Sequence, residues 1–291
     1  MNAPVATYRE RRFHAQDDVE IYFRDYGDSS GALTPVLFLS GLTRNAKDAH
    51  RAALRIAGRR RVLAMDYRGR GRSGYATDPR TYNPRTYVGD VLNLLAVAGL
   101  HRIVVVGTSL GGLVTMGLGV MAPNMLAGAV LIDIGPKIDT AGRDRIAGYI
   151  GKDLRLPNLD QAAAHLARQY AHAYPDWQAA DWHEMAETTF VFDSAAENWR
   201  LDYDLRIADS LKEDAAADTA VDLWPLFRSL RDIPVLAVRG ALSDLLDAAT
   251  FDQMAVDMPK LTRVVVPNTG HVPLPHREPL ATALEEFLTH V

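Results

Sequence analysis

The sequence predicts an α/β protein with a mostly parallel sheet covered by helices on both faces. Three observations carry this expectation. Short β-branched or aromatic runs alternate with amphipathic stretches of helix length. The central runs are apolar throughout, as in Ile103-Val-Val-Val106, the pattern of strands buried on both sides. The alternation lapses only between Pro136 and about Ala220, where Ala-rich helical patterns stand without a strand-like run. At 291 residues the chain can bury one large core, and with no cysteine it has no disulfide to rely on.

In chain order the strand-like runs are Ile21 to Phe23, Val36 to Leu39, Val62 to Met65, Ile103 to Gly107, Ala129 to Ile134, Pro234 to Val238 and Arg263 to Val266. Helical patterns between them cover Asn45 to Ile56, Thr86 to Ala98 and Leu110 to Met121, the second with Val88, Val91, Leu92 and Leu95 on one side. A terminal helix starts near Arg277. Residues 136–220 read as a helical insertion, with helices over Leu159 to Tyr174 and Ser210 to Ala217, so the core is split into 1–135 and 221–291. The insertion holds three of the four tryptophans, Trp177, Trp182 and Trp199. A small subdomain needs such side chains to build a core. Some of these aromatics, with Trp182 and Phe190 as the candidates, are expected to line a substrate pocket.

Composition excludes several chemistries. Without cysteine there is no thiolate nucleophile and no cysteine-ligated metal. A formal charge of −4 argues against a nucleic-acid surface. The first sixteen residues carry Arg9, Glu10, Arg11 and Arg12 but no apolar core of a signal peptide, and no run approaches the roughly eighteen apolar residues of a spanning helix. A cytoplasmic protein that engages neither membrane nor nucleic acid is expected.

The strongest local signal is Gly107-Thr108-Ser109-Leu110-Gly111, at the junction of a buried strand and a helix. That spacing suits a sharp turn in which the serine is held in a strained conformation with its hydroxyl clear of the strand end, glycines giving room on either side. A serine hydroxyl is a weak nucleophile, so a base and a group orienting that base must follow downstream. His271, in the loop after the last strand, is the candidate base and His276 its rival. Asp244 is the first carboxylate after the Pro234 to Val238 strand and the candidate acid. Asp247, which also suits a helix cap, and Asp133, at the end of the preceding strand, are the alternatives. Backbone N–H groups of Leu42, after Gly41, and of Leu110 are the candidate oxyanion donors. Arg44 stands where it can meet an anionic substrate group or simply be solvated.

Two motifs fail on context. Gly69-Arg-Gly71-Arg-Ser-Gly74 fits the dinucleotide pattern, but Pro79 and Pro84 follow it and Asp90 falls within a helical pattern, so no nucleotide cofactor is expected. His183-Glu184-Met-Ala-Glu187 has glutamate where a zinc helix needs its second histidine, so no metal is expected either.

With those residues in hand, the chain resembles the α/β-hydrolase superfamily over essentially its full length. Ser40-Gly41-Leu42, Asp66-Tyr-Arg-Gly-Arg-Gly-Arg-Ser73, the turn at Ser109, Asp133-Ile-Gly-Pro136, Arg239-Gly-Ala-Leu-Ser-Asp244 and Gly270-His271 occur in the family's order. Ser40 stands where many relatives carry histidine. The resemblance implies a sheet of about eight strands with an inserted helical cap, and a serine hydrolase with Ser109, His271 and Asp244 as its triad. It looks most like capped esterases, enol-lactonases and carbon–carbon bond hydrolases. The implied reaction is cleavage of a small carboxylic ester or lactone through an acyl-enzyme, without a cofactor. Carbon–carbon hydrolysis of a ring-fission product, perhydrolysis, or a small-molecule receptor retaining the triad are the alternatives. Natural substrate and oligomeric state stay open.

Overall fold

A computed structural model describes residues 8–27, 31–209, 222–258 and 260–291. Strands β1 (Arg9–His14), β2 (Glu20–Tyr26), β3 (Val36–Leu39), β4 (Val62–Met65), β5 (Ile103–Thr108) and β6 (Leu126–Ile132) alternate with helices α1 (His50–Ile56), α2 (Pro84–Ala98) and α3 (Leu110–Met121). Then come α4 (Thr140–Tyr149), β7 (Arg155–Leu156), α5 (Leu159–Tyr170), α6 (Ala179–Thr189), β8 (Phe190–Asp193) and β9 (Asn198–Leu201). The chain closes with α7 (Trp224–Arg228), β10 (Val235–Gly240), α8 (Ala248–Asp257), β11 (Leu261–Val266) and α9 (Leu280–Thr289).

The main sheet has eight strands in the order β1-β2-β4-β3-β5-β6-β10-β11. Pairs β1–β2 and β2–β4 are antiparallel and the remainder parallel. Because side chains alternate across a strand, each central strand feeds two cores. Leu37, Leu63, Val105 and Ala129 enter one core with Val91 and Leu95 of α2 and Val114 of α3. Val36, Val62, Val104 and Val130 enter the other with Ala53 of α1 and Leu284 and Phe287 of α9. Local chemistry sets the helix ends. Asn83 caps α2 by accepting from Thr86 N–H at 3.0 Å, Pro84 fixes the first turn and Gly99 closes it at φ 65°. Asp247 caps α8 through Thr250 N–H at 2.7 Å, the ordinary role its position suggested.

Two sequence expectations need correcting. Residues 136–209 are not purely helical, because β7, β9 and β8 form a second, antiparallel sheet among α4, α5 and α6. Strands of two to four residues fall below the length at which periodicity is visible. Strand β1 was missed because it is an edge strand with charged, exposed side chains and only Phe13 buried. The helix expected over Ser210 to Ala217 lies outside the described residues. The insertion has an apolar cluster of its own that includes Leu166, Tyr174, Trp182 and Phe190. Among the described residues no helix is long and apolar enough to cross a membrane.

Candidate active site

Ser109 is the residue between β5 and α3, at φ 50° and ψ −112°, a conformation that costs an L-residue of order 1–3 kcal/mol. The two flanking glycines are what make it possible. A Cβ on Gly111 would stand 2.1 Å from the Leu39 carbonyl oxygen, and one on Gly107 would stand 2.4 Å from the Gly111 oxygen. The turn therefore holds the start of α3 tight against β3, and any side chain at either position would push it out.

His271 lies in the loop after β11. Its Nε2 is 3.0 Å from Ser109 Oγ and its Nδ1 is 2.8 Å from Asp133 Oδ2. The structure therefore brings Ser109 and His271 together as expected, but the carboxylate on the imidazole is Asp133, not Asp244. Strand order supplies the reason. Thr108 of β5 pairs with Ile132 of the adjacent strand β6, so the residues just past each strand end, Ser109 and Asp133, are neighbours at the same edge. Strand β10 is one place further out. Asp133 is fully buried at φ 53°, and it also accepts from Gly240 N–H at 2.8 Å and Ser243 Oγ–H at 2.6 Å. Three donors on one carboxylate satisfy its buried oxygens and fix its direction.

Asp244 has a different partner. It takes a bidentate hydrogen-bonded pair from Arg145 of α4, at 2.5 Å to Nε and 2.9 Å to Nη2. Burial works against its charge, but the Arg145 hydrogen bonds and charge outweigh this and hold the carboxyl below its ordinary value. His276, the rival base, lies 3.3 Å from Glu184 and makes no bond to the serine. Burial, with Arg277 and Arg51 nearby, pushes it down to about 4 and so keeps it neutral.

The candidate oxyanion loop follows β3. Ser40 Oγ donates back to the Arg44 carbonyl at 3.0 Å and Arg44 N–H donates to Gly41 O at 3.1 Å, so the serine at position 40 closes the turn by itself. Arg70, fully buried, donates from Nε to the Leu42 carbonyl at 2.8 Å and lies over the ring of Tyr87. The Leu42 N–H donates to no acceptor among the described residues, and Leu110, first residue of α3, has no intrahelical acceptor for its own. Arg44 lines the cavity, but its donors are already engaged: Nε and Nη2 on Asp48 at 2.7 and 2.5 Å, Nη2 also on Thr188 at 2.6 Å, and Nη1 on Thr189. These bonds clasp the loop to α6.

Ser109 and His271 open into a cavity of about 560 Å³. Leu42 lines it from the core, and Ile146, Leu166, Tyr170, Met185 and Phe190 line it from the insertion. Phe190 thus lies where it was expected. Trp182 does not, being packed instead among Tyr174 and Trp177 with ring centroids 6.1 and 4.7 Å away. Two bonds tie the insertion to the histidine loop on either side of His271: Gly270 N–H to Ala173 O at 2.6 Å, and Val272 N–H to Tyr174 Oη at 2.6 Å. Tyr174, one of the aromatics of the insertion, lines the cavity, whereas Arg145 carried no signal in the sequence, since it acts across a long chain separation. No cluster suited to hold a metal occurs among the described residues.

Asp66 supports the loop from below. It accepts from Ala46 N–H at 2.6 Å and Arg72 N–H at 2.8 Å, yet burial, reinforced by the charge of Asp202, pushes it up to about 6. The folded protein therefore holds this proton more tightly than the unfolded chain, and the stability tied to it is present below about pH 4 and lost as pH rises through 6. The unfolding free energy of wild type minus that of Asp66→Asn should accordingly fall, by on the order of 3 kcal/mol, between pH 4 and 7 in urea titrations. A difference that stays flat across that range contradicts the assignment.

The sequence pattern of the alpha/beta hydrolase family matches residues 36–284. A crystal structure of an alpha/beta hydrolase from Novosphingobium aromaticivorans DSM 12444 superposes with a TM-score of 0.93 at 40% identity, covering 99% of this chain and 100% of that one. A 3-hydroxybutyrate-oligomer hydrolase of Cupriavidus necator is 30% identical over 256 residues, 86% of each chain. A 2-(acetamidomethylene)succinate hydrolase of Mesorhizobium japonicum is 27% identical over 242 residues, 81% of each. With the family pattern spanning nearly the whole core and the fold shared along its full length, the chain belongs to the alpha/beta hydrolase family.

Proposed function

We propose that the protein is a serine hydrolase that cleaves a carboxylic ester or lactone of a small molecule through an acyl-enzyme. The observation that carries this reading is the unbroken hydrogen-bonded chain Ser109 Oγ, His271, Asp133 at the wall of the cavity. In it, His271 Nε2 takes the hydroxyl proton as Ser109 attacks the carbonyl carbon, and Asp133 holds Nδ1–H and stabilises the imidazolium. The N–H groups of Leu42 and Leu110 receive the developing oxyanion. The proton then passes from Nε2 to the leaving alkoxide, and a water, activated by the same nitrogen, releases the acid. The insertion serves as a cap that sizes the pocket, with Phe190 and Tyr170 against the acyl group. The relative named for 3-hydroxybutyrate oligomers supports an ester between hydroxy-acid units as the scissile bond.

Rapid mixing with p-nitrophenyl acetate tests the reading. A burst of p-nitrophenol is expected, with one acetyl group found by mass spectrometry on the peptide that carries Ser109. A fluorophosphonate should label the same residue and abolish turnover. Acylation on any other residue, or turnover that survives labelling of Ser109, excludes it.

A further inference from the structure

We propose that Arg145 is a carboxylate anchor, so that the preferred substrates are esters that also carry a free carboxylate. The inference rests on the ester-hydrolase reading for its substrate class and adds the second functional group. Arg145 reaches from α4 into the cavity shared with Ser109 and His271, and its side chain is 24% exposed. Asp244 occupies Nε and Nη2 only. Nη1 donates to no acceptor among the described residues, so one edge of a rigid, always charged guanidinium is left for a ligand. Asp244 thereby fixes the fork before any ligand arrives, which lowers the ordering cost of binding.

The charge pattern around the cavity points the same way. Arg44 is paired with Asp48, Lys47 with Asp202 and Arg51 with Glu184. At the α4 end, Lys152 lines the cavity with no carboxylate partner among the described residues; Asp153 lines it too and pairs with Arg155 at 3.1 Å. That end therefore offers the Lys152 ammonium and the open edge of Arg145, beside the hydroxyl-bearing rings of Tyr149 and Tyr170 and the apolar Ile146. A singly charged, planar carboxylate fits one open guanidinium edge and one ammonium.

The test compares p-nitrophenyl half-esters of succinate, glutarate and adipate with the same compounds methylated at the free carboxyl. In the wild-type protein the best half-ester should exceed its neutral partner in kcat/KM by about tenfold to a hundredfold, mainly through KM, and the ratio should shrink in high salt. Arg145→Met should bring the ratio to about one, and Arg145→Lys should restore part of it. Equal rates for the charged and neutral series in the wild type, or a preference that survives Arg145→Met, overturns the proposal. Calorimetric binding of glutarate to the Ser109→Ala protein reads the same site without turnover. Glutarate binding that Arg145→Met abolishes upholds the anchor even if no ester is hydrolysed. Absence of glutarate binding alongside ready ester turnover removes the anchor and leaves the hydrolase reading intact.

Discussion

Ser109→Ala should lower kcat/KM for p-nitrophenyl acetate by at least about 10⁴-fold, on the order of 5 kcal/mol of lost transition-state stabilisation. The loss is large because the nucleophile has no substitute nearby. The other polar atom within bonding distance of the imidazole is the Asp133 carboxylate, on the opposite ring nitrogen. The fold should not change, since alanine keeps the backbone of the turn and the Ser109 hydroxyl bonds only to His271 among the described residues. A melting temperature within a few degrees of wild type checks the unchanged fold, and a residual rate above a tenth of wild type moves the chemistry to another residue.

The second large effect separates the two carboxylates. Asp133→Asn should cost about 10³ to 10⁴-fold in kcat, because the amide presents a donor where His271 Nδ1–H needs an acceptor and the imidazole is left in the wrong tautomer. Asp244→Asn, measured on the same neutral ester, should cost no more than about tenfold, since the residue touches Arg145 rather than the imidazole. A larger loss at Asp244 than at Asp133 would return the acid to the position after β10 and contradict the geometry. The measurement needs only steady-state rates and a folding check, and the two variants control for each other because each removes one buried or half-buried negative charge.

The parts of this molecule legible in the sequence are those whose cause is local. The turn at Ser109 is written in the spacing of its glycines, the central strands in unbroken β-branched runs, and the start of α8 in Asp247. His271 was legible because only one histidine follows the last strand directly. The acid was not, because choosing between Asp133 and Asp244 requires knowing which strand lies beside β5, and strand order is a property of the assembled sheet. Arg44, which lines the cavity with its charge paired, and Trp182, which does not line it, could not be placed for a related reason. A cation at a pocket mouth or an aromatic in a small subdomain cannot be assigned until its partners are known, and those partners, Thr188 for one and Tyr174 and Trp177 for the other, arrive only with the packing.

The contacts on either side of His271 make the pocket's roof and its proton relay one mechanical unit. Gly270 hangs from the Ala173 carbonyl and Val272 from the Tyr174 hydroxyl, and a side chain on Gly270 would come within 2.6 Å of Ala173. A substitution that disturbs this corner is therefore expected to displace the imidazole as well as the pocket wall, so that pocket shape and hydrolytic rate change together.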